Sequence, residues 1–270
     1  MGRRRSVLAM FSLALLLGLP AAAAGAGPDR TGAGRAGGVP VDLLPDLRMA
    51  KLYGFDLEER QNGHVRLHFG TIGWNMGDGP LEARGKREGS SETGMRVRQR
   101  IYDSDGGFRS RQTPAVMFYA GDGHDHWHLR QFMYIQLYVP GDPSGDVYGL
   151  RKLGYCLIDA RQRNDPPAGS PPLPVYPDGN CGTASSTFVQ TGLSVGWGDD
   201  YPPAFAHQWI DVTDLPAGDY RICSSVDALG DFVESDESNN QRWTDVHIDV
   251  AAGAVTALDT AMEACGPGVP

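Results

Sequence analysis

The sequence predicts a mainly β protein, an antiparallel β-sandwich of the Greek-key or immunoglobulin-like type with long loops and little helix. Glycine and proline are abundant, at 36 and 19 of 270 residues, which suits short strands joined by many turns. Short apolar runs with partial alternation recur along the chain. No segment shows the periodicity of an amphipathic helix, so the strands must form the core.

The strands are predicted from these apolar runs. The clearest run alternates Met95, Val97 and Ile101 with arginines, as a half-buried strand does. The proline-rich segment 161–180 predicts a long loop, and Asp214–Tyr220 is typical of a tyrosine corner, which closes many Greek-key sandwiches. In chain order, the predicted strands cover residues 65–73, 95–102, 131–139, 153–159, 208–213, 220–226 and 242–250.

The N-terminus has the features of a secretory signal over residues 1–26. Arg3–Arg5 form a basic start, Val7–Leu19 is apolar, and small residues follow at two candidate cleavage sites. An uncleaved membrane anchor is the alternative. We predict a flexible leader over 27–40 and one domain over 41–270. We expect a secreted protein with no membrane partner after cleavage, because no later run approaches the roughly 20 apolar residues of a membrane span.

The charge balance narrows the choice of partners. The net charge is −9, and cleavage of the signal would remove three arginines and no acid, lowering it to −12. A strongly acidic chain repels the phosphates of nucleic acid, so we expect no nucleic-acid partner. The same charge attracts cationic partners.

The four cysteines indicate disulfides, because an exported chain enters an oxidising compartment. Four cysteines allow three pairings. We favour Cys156–Cys181 and Cys223–Cys265, because each pair lies within one half of the domain. The chain has no Cys-x-x-Cys motif, so neither a thioredoxin-type site nor a zinc ribbon is indicated.

Three of the seven histidines, His124, His126 and His128, occupy alternate positions. Alternate residues of a strand face one side, and three imidazoles suit copper or zinc with positions left open for chemistry. A straight strand would place the outer two Cα atoms about 13 Å apart, too far for easy shared ligation. We therefore expect Gly121 and Gly123 to let the backbone curl. The alternative is a polar surface strand without a metal.

Two further features have an ordinary interpretation beside a functional one. The segment Glu234–Asn240 collects carboxylate and amide oxygens that suit Ca²⁺, but Asp, Ser and Asn are also typical of a plain hairpin turn. Lys152 precedes the apolar run 153–158, where a lysine usually reaches out to solvent.

Six segments, taken together and in this order, resemble the lysyl oxidase family. The resemblance is colinear from about residue 44 to 250, and no single motif decides it. The segments are Leu44–Leu47, His124–Tyr138, Lys152–Asp159, Gly192–Asp214, Pro216–Tyr220 and Glu234–Asn240.

The resemblance implies a copper-dependent amine oxidase. Copper would be held by the three histidines, and a lysine tyrosylquinone cofactor would be built from Lys152 and Tyr201. The substrate would be a primary amine, either protein-bound lysine or a small amine. It would be oxidised by O₂ to an aldehyde, with release of H₂O₂ and ammonia. Asp199, two residues before Tyr201, is the candidate base.

The resemblance also implies a calcium site that ties the N-terminal segment to the late hairpin. Several cysteines of the animal enzymes are missing, and the Ala-rich signal favours a bacterial secreted homologue, so collagen or elastin need not be the substrate. The matching calcium positions are Asp46, Leu47 (through its backbone carbonyl), Glu234, Asp236, Asn239 and Asn240.

Two other classes of function stay open at this stage. One is a non-catalytic β-sandwich binding module stabilised by calcium, which would need neither Lys152 nor Tyr201. The other is a copper-binding protein that lacks the quinone, or a cupin-like metalloenzyme. The cupin version is disfavoured, because no glutamate follows the histidines at the usual short spacing.

Overall fold

The computed structural model describes residues 39–121, 123–142 and 145–265, apart from the side chains of residues 150 and 152. The predicted signal and nearly all of the predicted leader lie outside this range. From Pro40 onward, the described residues form one compact unit. No helix in this part of the chain is long and apolar enough to cross a membrane.

The prediction of a mainly β fold with little helix is confirmed. The described residues form sixteen strands and two short 3₁₀ helices, Asp178–Cys181 and Glu237–Asn239. The strands are β1 (Asp42–Leu43), β2 (Leu47–Met49), β3 (Tyr53–Glu59), β4 (Val65–Asn75), β5 (Leu81–Lys86), β6 (Gly94–Asp103), β7 (Phe108–Ala120), β8 (His126–Tyr138), β9 (Val147–Tyr155), β10 (Arg161–Gln162), β11 (Phe188–Leu193), β12 (Trp197–Tyr201), β13 (Trp209–Asp211), β14 (Gly218–Val226), β15 (Gln241–Asp249) and β16 (Ala254–Ala261).

The strands form two antiparallel sheets. The large sheet has ten strands in the order β11-β5-β6-β7-β8-β14-β15-β16, with β1 paired to β6 and β9 paired to β8. The small sheet has six strands in the order β10-β12-β4-β13, with β2 and β3 also paired to β4. The long strand β4 carries this sheet, because its first half pairs with β3 and β13 and its second half with β2 and β12.

One hydrophobic core takes side chains from both sheets. Leu67 and Phe69 of β4 pack in the same buried cluster as Trp127 and Ile135 of β8. Burial alternates along most strands, as period-two side-chain placement requires. In β6, for example, Val97 is fully buried while the arginines on either side are exposed.

Both favoured disulfides are present, Cys156–Cys181 and Cys223–Cys265. The tyrosine corner is also present, because the Tyr220 hydroxyl donates to the carbonyl oxygen of Pro216 at 2.7 Å. These local predictions are confirmed. The hydrogen bond of the corner spans four residues, and each disulfide joins cysteines within one half of the domain.

The strand boundaries were predicted less well. The run 153–159 overlaps only the end of β9, because residues 156–159 have already left the sheet. The segment 161–180 is a loop as predicted, although it begins with the short β10 and leads into a 3₁₀ helix. Nine strands were missed, namely β1, β2, β3, β5, β7, β10, β11, β12 and β16. Several of them are short or carry mixed polar residues, so their alternation is weak.

Candidate active site

The three histidines converge at the turn that joins β7 to β8. The side-chain nitrogens of His126 and His128 lie 2.8 Å apart, and those of His124 and His128 lie 3.3 Å apart. His128 is buried, whereas His124 and His126 are half-buried. Nitrogens that each bind one metal ion at about 2.0–2.1 Å lie about 3 Å from one another. The donor set therefore fits a single ion.

The backbone brings the histidines together in a different way from the one expected. His124 precedes the strand, and only His126 and His128 belong to β8. Asp125 adopts a left-handed conformation with φ of 51°, and this residue re-aims His124 towards the other two rings. Of the two glycines expected to curl the chain, Gly123 does so with φ of 101°, upstream of the triad. The alternation argument missed Asp125, because short polar residues enter this conformation only occasionally.

Packing fixes the orientation of the buried histidine. The ring of Phe118, on β7, meets the His128 ring edge-on with centroids 5.8 Å apart. Across the sheet, His128 pairs with Phe118, and Gly154 of β9 leaves room for both side chains. A β-carbon at Gly154 would lie 3.1 Å from Cβ of His128.

Tyr201 lies beside the histidines although it comes from the small sheet. Its ring centroid is 6.0 Å from that of His124 and 3.9 Å from that of Tyr155. The backbone N–H of Cys156 donates to its hydroxyl at 3.4 Å. Burial and the carboxyl of Asp199 raise the pKa of Tyr201 well above its ordinary value, which favours the neutral phenol.

Asp199 is a buried carboxyl group without a hydrogen-bond partner among the described residues. Only 1% of it is exposed, and neither carboxylate oxygen is bonded. Burial raises its pKa well above the ordinary value, and the carboxyls of Asp200, Asp159 and Asp178 add to the effect. An unpaired buried carboxyl group is costly for the fold, and such groups concentrate at functional sites.

A cavity of about 580 Å³ connects these groups. Two histidines of the triad line it, together with Tyr201, Phe205 and three aspartates, and its described lining contains no arginine or lysine. Asp200 is engaged by Arg161 at 2.9 Å, and among the described residues neither Asp178 nor Asp199 pairs with an arginine or a lysine. The cavity is suited to a cationic ligand.

Lys152 lies in β9 with its Cα paired to that of Tyr134 in β8. Three residues further along the same strand, Tyr155 stacks on Tyr201. The strand that carries the predicted cofactor lysine therefore runs past the predicted cofactor tyrosine.

The predicted calcium residues fall into one region where the N-terminal segment meets the late hairpin. The Leu47 N–H donates to Oε2 of Glu234 at 2.5 Å, and the Asn240 side chain donates to Oε1 at 2.8 Å. Asp236 accepts from Ser238 and from the side chain of Asn239. The Ser235 N–H donates to the Pro45 carbonyl oxygen, which joins the two segments through the backbone.

The calcium region contains buried oxygen atoms that accept no hydrogen bond from the described residues. Oδ1 of Asp46, Asn239 and Asn240 are each buried without a hydrogen-bond partner among the described residues. Burial also raises the pKa of Glu234 to about 9. Unsatisfied carboxylate and amide oxygens are the ligands that a hard cation prefers, so the donor set fits Ca²⁺.

A comparison with protein-family models gives a match over residues 176–257 to the family described as lysyl oxidase. Over this segment the chain is similar to the lysyl oxidase family. The matched segment contains Asp199, Tyr201 and the late hairpin. The histidines and Lys152 precede it.

The curated proteins that match this chain include several lysyl oxidase homologs. The chain is 30% identical over 121 residues to lysyl oxidase homolog 2 of Gallus gallus, which covers 44% of this chain and 14% of that protein. It is 27% identical over 121 residues to lysyl oxidase homolog 2 of Homo sapiens, with the same coverage. It is 40% identical over 57 residues to lysyl oxidase homolog 4 of Mus musculus, covering 21% of this chain and 8% of that protein. The alignments thus span only about a seventh or less of these relatives.

Sequence reasoning missed several residues near the cavity and the calcium region. Oδ1 of Asp178 lies 3.7 Å from Nδ1 of His126, at the rim of the cavity. Asp178 lies in the same 3₁₀ helix as Cys181, and the Cys156–Cys181 disulfide holds this helix at the rim of the cavity. The predicted disulfide could therefore have indicated that Asp178 lies near the site. Near the calcium region, Asp227 and Glu237 approach Glu234, with ligand oxygens within 4.8 Å of one another. Glu237 lies inside the predicted segment Glu234–Asn240 but was not assigned as a ligand, whereas Asp227 lies outside that segment and had no recognisable spacing.

Proposed function

We propose that this chain is a secreted copper-dependent amine oxidase whose lysine tyrosylquinone is built from Lys152 and Tyr201. The observation that carries the proposal is that Tyr201 lies beside three converging histidines, two of which line the same acidic cavity as Tyr201. The overall reaction converts a primary amine, O₂ and water into an aldehyde, ammonia and H₂O₂. The substrate is protein-bound lysine or a small amine.

When bound, copper and the quinone would supply the O₂ chemistry and the electron sink that ordinary side chains lack. The histidines would hold the metal, and His128 is kept in place by Phe118. Tyr155 and the Cys156 N–H hold the ring of Tyr201 against the end of β9. These contacts fix the ring before any modification takes place.

Asp199 is our candidate for the base that removes the proton from the substrate carbon. It lines the cavity, has no hydrogen bond to break, and sits two residues before Tyr201 in the same strand. With Asp178 at the rim, it also attracts an ammonium group into the cavity.

We also propose the signal over 1–26 and a catalytic domain over 41–270. The two disulfides support export, because such bonds persist mainly in oxidising compartments. Calcium bound by the Asp46, Leu47, Glu234, Asp236, Asn239 and Asn240 set would be structural, since it lies between segments rather than at the cavity.

The test is to load the mature chain with copper in air and to look for a visible absorption band that shifts with phenylhydrazine. A peptide map would then identify a Lys152–Tyr201 cross-link. Lys152→Ala and Tyr201→Phe should bind copper without forming the band. Lys51→Ala is the matched control, because Lys51 is exposed and lies outside the cavity.

Two other results of this test would support the alternative functions. Bound copper with both residues unmodified would indicate a copper-binding protein without the quinone. Absence of copper binding would indicate a calcium-stabilised binding module. Normal amine turnover in Lys152→Ala would refute the cofactor assignment.

A further inference from the structure

A cluster of four cations lies on the solvent side of the large sheet, and we call it the basic face. It consists of Arg84, Lys86, Arg96 and Arg98. Lys86, Arg96 and Arg98 are exposed, while neighbouring Val97 points into the core. The four cations line a shallow depression of about 270 Å³, together with Glu88, Ser110, Gln112 and Phe188.

The strand register sets these cations directly opposite one another. In the β5–β6 pair, Lys86 faces Arg96 and Arg84 faces Arg98. Adjacent strands lie about 4.8 Å apart and alternate residues about 6.7 Å apart, so the four positions form a small rectangle. Like charges directly opposite in a sheet destabilise it. The fold alone therefore gives no reason for this arrangement.

Neighbouring acids do little to neutralise the basic face. Nε of Arg84 lies 3.3 Å from Glu82, but Glu82 is buried and shared with Arg100 at 3.4 Å. Within the described part of the chain, Arg98 donates to neutral partners only, namely Ser110 and Gln112. Among the described residues, no carboxylate forms an ion pair with Lys86, Arg96 or Arg98.

We propose that the basic face binds a linear acidic polysaccharide. Its carboxylate or sulfate groups would lie between the opposed cations and relieve both repulsive pairs. Phe188, 49% exposed at the edge of the depression, offers an apolar surface to a sugar ring beside the Arg84 guanidinium, 5.2 Å from its centroid.

The net charge of the protein favours a ligand that is thin enough to contact the basic face alone. The chain has a net charge of −9, so the protein surface around the basic face is acidic on balance. An extended anionic surface, such as a membrane or duplex DNA, would also approach these acidic regions and be repelled by them. A single polysaccharide chain can contact the basic face alone, and at physiological salt the acidic remainder is screened beyond about 8 Å. This surface is independent of the amine oxidase proposal.

The test measures binding of a heparin oligosaccharide of defined length, with neutral dextran as the blank, by calorimetry at 50 mM and 300 mM salt. We expect binding at low salt and at least tenfold weaker binding at high salt. Arg96→Glu should weaken binding at least tenfold, and the charge-matched control Lys51→Glu should change it less than twofold. Polygalacturonate, which carries carboxylates alone, distinguishes carboxylate from sulfate recognition within the same proposal.

The melting temperature of Arg96→Glu shows whether weaker binding comes from the lost positive charge or from a damaged fold. Arg96→Glu replaces a like-charge pair with an opposite-charge pair across from Lys86, so its melting temperature at low salt should rise by about 1–3 °C. The proposal is overturned if neither polyanion binds at 50 mM salt, or if Lys51→Glu loses as much affinity as Arg96→Glu. It is also overturned if anionic vesicles or duplex DNA bind this face and the polysaccharides do not.

Discussion

Gly154→Ala tests whether strand β9 holds His128 in place. Gly154 has no left-handed backbone, so alanine by itself is permitted and would reduce the entropy of the unfolded chain, a gain of about 0.4–1 kcal/mol. The added β-carbon would, however, lie 2.7 Å and 2.8 Å from two ring carbons of Phe118 and 3.1 Å from Cβ of His128. Carbon atoms pack best at about 3.5–4.0 Å. Both neighbours must therefore move.

The expected magnitude follows from how freely each neighbour can move. Phe118 is half-buried and can swing outward, whereas His128 is buried and its Cβ is fixed to the backbone of β8. Extra carbon atoms in packed sites destabilise by about 1–3 kcal/mol. After the entropic gain is subtracted, the net loss is at most about 2.6 kcal/mol, which lowers the melting temperature by up to about 10 °C in a chain of this size. On the proposed assignment of His128 as a copper ligand, displacing its ring should weaken copper binding about 10–100-fold, as disturbed supporting contacts usually do.

The assay combines differential scanning calorimetry with a copper titration against a competing chelator. Gly121→Ala is the matched control, because its backbone is not left-handed and nothing lies within 4 Å of its added β-carbon. That variant should be at least as stable as the parent and bind copper equally well. If Gly154→Ala behaved like Gly121→Ala in both measurements, contact with β9 would not be what orients His128.

Four further predictions concern other parts of the molecule. Asp199→Asn should lower amine turnover at least 100-fold by steady-state kinetics with copper content unchanged, and near-normal turnover would exclude a base there. Removing calcium with EGTA should lower the melting temperature by about 5–11 °C, as expected when a ligand at 100 times its Kd is withdrawn, and Glu234→Gln should no longer respond. Replacing both Cys223 and Cys265 with serine should cost about 4 kcal/mol in urea unfolding, from the 42-residue separation that the disulfide closes, and a loss below about 1 kcal/mol would contradict this. Tyr220→Phe should cost about 1 kcal/mol in the same assay, because it removes the hydrogen bond to the Pro216 carbonyl.

Strands were predictable from the sequence where burial alternates. In β6, buried Met95 and Val97 flank the exposed Arg96, and the period of two is visible. In β12 the pattern fails, because four of its five residues are buried, including Asp199 and Tyr201. Its buried acid looks like a loop residue in the sequence. The sequence analysis therefore did not predict strand β12, although the family resemblance identified two of its residues, Asp199 and Tyr201.

The assembly of the site was less predictable than its residue types. The histidines lie on a local turn of the large sheet, but Tyr201 reaches them from the small sheet through the pairing of β12 with β4. Such pairing joins residues far apart in the chain, and its register depends on the whole core rather than on local sequence. Two short connections then hold the two sides together: Tyr155 stacks on Tyr201, and the Cys156–Cys181 disulfide brings Asp178 beside His126. Because both connections start at the end of β9, a change in the position of that strand should displace His126 and Tyr201 together.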